Sequence, residues 1–323
     1  MGAGVELDLG AIRAFITVAD HLHFGEAADS LGLTQQAVSK RIAKLEESLD
    51  TRLLSRTRGG TRLTDEGSAF LPHARALIAL ADQAVESLCG GVRPLRVDVL
   101  GTRLAATDLI RTFHETYDGV EIDVVTSSGL RSGRAALTEG SIDVAFARVV
   151  GALDAAIEHI PAYLEPLYVL VGRNHRFAHQ RTVRLTDLAD AIARMPGNEP
   201  GSEWAQFYDD LAAEFGLTID TSGPDFGLDH LLDEIAHSDG SFVFSGERLR
   251  VPWHRDIVQI PIVDPTPTYP HSMLWHRRNP HPALPELINH VTTAFRPFDP
   301  SRHWLPASDI EAGLFEAYRG SVG

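Results

Sequence analysis

Residues 27–49 read AADSLGLTQQAVSKRIAKLEESL, and this stretch decides the fold of the first domain. Ala27, Ala28 and Leu31 fall at helical spacing. Gly32 then ends the helix, since glycine enters a tight turn with positive φ at little cost. Thr34 offers its hydroxyl as an N-cap for a second helix. There Val38, Ile42, Leu45 and Leu49 recur at intervals of four, three and four, one apolar stripe. Gln35, Gln36, Ser39 and Lys40 occupy the other face. Two short helices across a three-residue turn form a helix-turn-helix, whose second helix enters the DNA major groove. Amides there suit adenine, and serine or lysine serves phosphate or guanine.

Downstream, RLLSRTRGGTRLT (52–64) reads as two short strands around Gly59-Gly60. Arg56, Arg58 and Arg62 line this hairpin, as a wing along a phosphate backbone requires; a surface hairpin made soluble by arginines would read the same way. Thr64 can cap a long helix, with Asp65 and Glu66 near its positive end. Phe70, Ala74, Leu77, Ala81, Ala84 and Leu88 then alternate by four and three, a coiled-coil seam expected to form a dimer interface. A single amphipathic helix packed on its own domain would show the same stripe.

Charge separates along the chain. The 323 residues carry a formal net charge of -15, yet residues 34–64 hold seven basic groups, Arg41 among them, against three acidic ones. A local positive patch can hold phosphate while the acidic remainder repels, because screening confines each field to roughly 8–10 Å at physiological salt. One cysteine, Cys89, excludes an intramolecular disulfide and a cysteine-based zinc site. No secretion signal and no apolar run of membrane-spanning length is evident, so a cytoplasmic protein without membrane contact is expected. The 15 histidines form no clean cluster with carboxylates, so no metal site is expected. Neither a GxSxG elbow, a P-loop nor GxGxxG occurs, so neither catalytic residues nor a bound cofactor are expected, and the chain does not read as an enzyme.

The segments AIRAFITVADHLHFGEAADSLGLTQQAVSKRIAKLEESLDTRLLSRT and RLTDEGSAFLPHA resemble the LysR-type transcriptional regulators. The resemblance is dense over roughly the first 80 residues. It implies an α plus α/β protein: a winged helix-turn-helix (1–63), a linker and dimerisation helix (64–91), and a two-lobed effector-binding domain (92–300) of periplasmic-binding-protein-like fold. Lobe I would take about 92–163 and 270–300, lobe II about 164–269, leaving a C-terminal extension at 301–323. It implies double-stranded DNA, a second copy of the chain (homodimer, then homotetramer), RNA polymerase and a small-molecule effector as partners. Carried over by position, Thr34, Gln35, Gln36, Ser39, Lys40 and Arg41 begin the groove-reading helix, and Arg56 stands where the wing meets the minor groove. Lys40 replaces a usual arginine, Gln36 and Ala37 replace common prolines, and Arg41 replaces a frequent glutamine, departures that bear on the base sequence recognised.

Beyond Pro94 the pattern alternates. LRVDVLG, VEIDVVTS and IDVAFAR read as strands, separated by helical LAATDLIRTFHETY and GRAALTEG. Ligands of open sheets sit beyond the carboxyl ends of strands, which here places Thr102, Ser127, Ser128 and Arg148 in lobe I. Asn198, Ser202, Trp204 and Phe226 are candidate walls from lobe II. The hydroxyls, helix starts and arginine favour a small anionic effector. Serines at helix starts also serve as caps, and Arg148 can instead pair with a nearby acid. The late strand SMLWHRR is expected to return to lobe I. RHWLPASDIEAGLFEAYRGSVG reads as a short amphipathic helix with Ile310, Leu314 and Phe315 on one side, capping the effector lobe or touching another subunit. Two rival readings are a solute-binding protein with an incidental N-terminal domain and a cleft hydrolase or transferase.

Overall fold

The computed structural model describes residues 7–57, 60–86, 93–99, 105–126, 129–248 and 254–315. Arg58, Leu88, Thr102, Ser127 and Ser128 lie outside them, as does the side chain of Arg56. The chain divides into two compact units, residues 1–94 with 135–142 and residues 95–134 with 143–323.

The first unit begins with α1 (Leu9–His21), capped by the Asp8 carboxylate, which accepts the Ala11 N–H at 2.9 Å. Helix α2 (Phe24–Ser30) ends before Gly32, whose φ is +63°, and α3 (Gln35–Ser48) follows. The Thr34 hydroxyl accepts the Ala37 N–H at 3.2 Å, satisfying one of the open donors at the helix start. Val38, Ile42 and Leu45 are buried against Ile12, Phe15 and Val18 of α1, so the stripe read from the sequence is the core face. The wing is an antiparallel hairpin of β1 (Leu54–Thr57) and β2 (Gly60–Leu63), in register Leu54 with Leu63 and Thr57 with Gly60.

Helix α4 (Asp65–Glu86) starts where the Thr64 hydroxyl accepts the Gly67 N–H at 2.9 Å. A Cβ at Gly67 would collide with the carbonyl oxygen of Leu53, so only glycine lets α4 pass this close to the wing. Gly67→Ala is expected to cost about 1–3 kcal/mol by forcing helix and wing apart; thermal unfolding of the first 94 residues' signal measures it. The seam expected along α4 is divided. Ala74 is fully buried and Phe70 packs on Phe15 at 5.7 Å, so both serve their own domain's core, whereas Leu77, Leu80 and Val85 are exposed. A three-four repeat is blind to whether the facing surface belongs to the same chain.

The second unit contains two lobes. In lobe I, β3 (Leu95–Val99), α5 (Ala105–Thr116), β4 (Ile122–Thr126), α6 (Leu130–Glu139, of which 130–134 fall in this unit) and β5 (Val144–Ala147) alternate, with β4, β3 and β5 parallel. Then β6 (Ile157–Gly172) runs 16 residues into lobe II. There follow β7 (Ile192–Arg194), α7 (Glu203–Phe215), β8 (Thr218–Asp220), α8 (Leu228–Ala236), β9 (Ser241–Gly246) and β10 (Ile257–Pro261). The chain returns along β11 (Thr266–His276), whose Ser272–Trp275 pair antiparallel with Ala147–Val144 of β5. This is the return strand expected from SMLWHRR. Helix α9 (Leu284–Ala294), β12 (His303–Trp304) and α10 (Ala307–Glu311) complete the order.

The sheet path is β4-β3-β5-β11-β6-β9-β7-β8, with β10 on β6 and β12 on β11. Strands β6 and β11 are therefore the two crossings between lobes. Their register shifts at His271/Ser272, opposite Pro161, where a missing N–H and a bulge go together. Each lobe has its own core: Val97, Phe113, Phe146 and Leu287 in the first, Leu167, Phe207, Phe242 and Ile260 in the second. In the C-terminal segment Phe315 is buried and Leu314 half-buried, as expected of the face read from the sequence, but Ile310 is 42% exposed and Asp309 takes the buried position beside it. The helix has only five residues, and an ion pair rather than a hydrophobic stripe holds it.

Candidate nucleic-acid interface and effector cleft

With Val38, Ile42 and Leu45 turned inward, α3 leaves Gln35, Gln36, Lys40, Arg41 and Lys44 exposed, with Ser39 half-buried beside them. Arg41 bends back: its Nη1 donates to the Gly10 carbonyl at 3.5 Å, and its charge, with that of Lys44, helps to lower the Asp8 carboxyl, which is held down mainly by its hydrogen bond from the Ala11 N–H. Arg41 thus spends part of its charge on the start of α1. Arg62 is exposed on the wing.

Glu46 carries a role that the charge pattern did not reveal. It is 7% exposed, on the inner side of α3, and its Oε1 accepts the N–H groups of Leu53 and Leu54 at 2.8 and 3.1 Å. Its Oε2 takes a hydrogen bond from Arg52 at 2.8 Å. One carboxylate therefore fixes the angle between the groove-facing helix and the wing. Its only sequence signal is an acid in the last turn of an otherwise apolar face.

In the second unit two anion-binding points, the start of α6 and Arg148, are filled by the chain's own carboxylates. Gly129 has a φ of +115°, and the Glu203 Oε1 accepts the Leu130 N–H at 2.6 Å, at the start of α6. Arg148, 2% exposed, donates from Nη2 and Nε to Asp309 Oδ2 at 2.7 and 3.1 Å, and from Nη1 to the Glu203 carbonyl at 2.9 Å. Its expected availability to an effector is corrected to an internal ion pair. Ser202 is the N-cap of α7, accepting the Ala205 N–H at 3.1 Å, with Asn198 beside it. Phe226 is 70% exposed and packs edge-on against His230. Trp204 alone of the lobe II candidates joins a cluster on the crossing strands.

That cluster was not read from the sequence. Trp204 stacks on Tyr269 at 4.0 Å, Tyr163 stacks on His271 at 4.4 Å, and Glu165 lies 3.6 Å from His271. Glu165, Tyr269, His271, Ser272 and nearby Ser245 are all buried. Glu165 Oε1, the Tyr269 hydroxyl, both His271 nitrogens, and the Ser245 and Ser272 hydroxyls have no hydrogen-bond partner. Burial pushes the Tyr208 and Tyr269 hydroxyls up, and the charges of Glu165 and Glu203 respectively add to it. Both stay protonated donors. Period-two alternation places Tyr163 with Glu165 and Tyr269 with His271 on one face of each strand, a signal visible in sequence only once the strands are known to cross.

Among the described residues no group of three or more His, Cys, Asp or Glu is placed to hold a metal ion, and no helix is long and apolar enough to cross a membrane.

A winged helix-turn-helix joined to a two-lobed α/β unit with polar groups at its crossing strands defines a regulator that pairs a DNA-reading fold with a sensor fold. Residues 9–68 match the family model of the bacterial regulatory helix-turn-helix proteins, lysR family, and residues 92–296 match the LysR substrate binding domain. The chain belongs to the LysR family of transcriptional regulators. It is 31% identical over 192 residues to the HTH-type transcriptional regulator YnfL of Escherichia coli, and 32% identical over 190 residues to ShiR of Corynebacterium glutamicum. Each match covers 57% of this chain and spans 64% of the relative's own length. The crystal structure of CbnR, a LysR family regulator, superposes with a TM-score of 0.70 at 22% identity, covering 89% of this chain and 99% of that one. CbnR complexed with its target DNA gives 0.69 at 23% identity, with the same coverage. These likenesses show the shared fold.

Proposed function

We propose that the protein is a sequence-specific DNA-binding regulator of transcription, working as a dimer or a pair of dimers, whose hold on DNA responds to a small molecule in its two-lobed domain. The observation that carries this reading is the outward row Gln35, Gln36 and Lys40 on a helix whose opposite face is locked in the core of a LysR-family helix-turn-helix. Helix α3 would read base edges, and the wing arginines would lie against phosphates. The exposed Leu77, Leu80 and Val85 of α4 supply the apolar contact for a second copy. RNA polymerase at the regulated promoter and a cytoplasmic setting follow from the same reading. The protein would be a regulator and not an enzyme.

The effector would rest on the floor made by β6 and β11. Buried polar groups without partners are costly, about 1–3 kcal/mol each, and a ligand offering matching groups recovers that cost. Trp204, Tyr269, Tyr163 and His271 present ring faces to a flat molecule. Tighter binding to one arrangement of the lobes would shift the balance between them.

A DNase footprint on the DNA upstream of the gene tests the reading: two protected half-sites on one face of the duplex are expected, and no protection at low salt would sink it. Lys40→Ala and Arg56→Ala are each expected to weaken binding and to reduce the slope of log K against log salt by about 1. An unchanged slope in both variants would remove the proposed docking.

A further inference from the structure

We propose that a cavity between the end of β5 and the C-terminal segment is a second ligand site, for a small carboxylate with an apolar body, and that Asp309 is the tethered carboxylate such a molecule displaces from Arg148. The proposal does not depend on the cleft floor, since neither Glu165, His271 nor Trp204 lines this cavity. It rests only on reading residues 92–296 as a ligand-binding domain.

The cavity encloses about 370 Å³, within the range of small-molecule pockets. Val150, Leu314 and Phe315 give it apolar walls, while Arg148, Asp309 and His159 supply its polar points. The Nδ1 of His159 is buried without a hydrogen-bond partner. Arg148 meets Asp309 through Nε and Nη2, the two-point geometry that any free carboxylate can reproduce. Exchanging one carboxylate for another keeps the buried guanidinium paired, whereas a neutral molecule of the same shape would leave it only the more exposed Asp210, 4.0 Å away.

The segment carrying Asp309 is built to let go. It is anchored upstream, where β12 pairs with β11, the Thr268 hydroxyl donates to the Trp304 carbonyl at 3.0 Å, and Trp304 is buried. Leu305 and Pro306 are buried with it; beyond them Ala307, Ser308 and residues 310–313 are exposed, Leu314 is half-buried, and Asp309 and Phe315 are the buried points. The Phe298 N–H donates to the Phe315 carbonyl at 2.8 Å, which closes the loop. This segment lies beyond residue 296, where the family match ends.

The test uses the full-length protein with isocaproate, an apolar-bodied carboxylate, and its neutral amide isocaproamide. Asp309→Asn removes the internal competitor while keeping its shape. It is expected to bind isocaproate at least tenfold more tightly than the wild type does, to recover lost thermal stability on adding isocaproate, and to gain neither from isocaproamide. The paired variant Arg148→Gln/Asp309→Asn, with both charges removed, is expected to fold and to bind no isocaproate. In the wild type, saturating isocaproate should deprotect the Phe298 amide against hydrogen exchange, a measurement that does not depend on any variant folding. Equal isocaproate affinity in wild type and Asp309→Asn, equal rescue by isocaproamide, or unchanged protection of Phe298 would each overturn the proposal and leave the pair a structural tie. DNA affinity measured on the same preparations separates this outcome from a failure of the regulator reading itself.

Discussion

Arg148→Met is expected to destabilise the C-terminal unit by about 3–5 kcal/mol at pH 7, the usual cost of leaving a buried charge without its partner. The arginine donates to Asp309 and to the Glu203 carbonyl, and its guanidinium lies 5.6 Å from the Phe207 ring. Methionine restores some packing volume but no donor. The loss should depend on pH with a definite sign. Burial already holds the Asp309 carboxyl above its ordinary value of 3.8; Arg148 pulls it down and Asp210 pushes it up. Without Arg148 mainly the raising influences remain, so the carboxyl in the folded variant prefers its proton more strongly. A raised folded value contributes stability below 3.8 and loses it as pH rises through that raised value. Chemical denaturation should therefore show a smaller deficit at pH 4 than at pH 7. Equal deficits would mean that Asp309 finds another cation once Arg148 is gone.

Glu46→Ala is expected to cost the DNA-binding unit about 2–4 kcal/mol, because the Leu53 and Leu54 N–H groups lose their acceptor while remaining inside the fold. The consequence for function exceeds that for stability. The wing would no longer be held at one angle to α3, so groove and backbone contacts could not form together. Glu46→Gln keeps one acceptor oxygen and should retain more than half of the stability. Thermal unfolding followed by DNA titration checks both variants. Normal DNA affinity in Glu46→Ala would show that the carboxylate is not what sets the wing.

Local patterns were legible and long-range partnerships were not. Val38, Ile42 and Leu45 repeat within two turns, so their common face could be read directly, and the glycine pair at 59–60 announced a hairpin. The alternation of strands and helices after Pro94 carried the lobe architecture for the same reason. Arg148 and Asp309 are 161 positions apart, and no periodicity links them; an arginine at a strand end reads identically whether it awaits a ligand or its own chain's acid. Phe70 and Ala74 kept the expected spacing yet face their own core, because spacing defines a stripe but not what lies opposite it. Ser202 proved to be a cap, the ordinary use of a serine before a helix. The cleft floor of Glu165, His271 and Tyr269 emerges only when β6 and β11 are laid side by side.

That same pairing has a consequence for how the protein is made. Within lobe I, the first half of β6 and one edge of β5 find their partner in β11, which leaves the ribosome about a hundred residues after β6 does. At ~5–20 residues per second this is a wait on the order of ten seconds. Throughout it, the fully buried strand Val144–Ala147 presents an open edge of unpaired backbone groups. Lobe II, whose strands lie almost wholly between the two crossings, can be complete before lobe I closes. The nascent chain is thus most vulnerable to aggregation in the lobe synthesised first, and a chaperone's window on it closes only with the arrival of Ser272–Trp275.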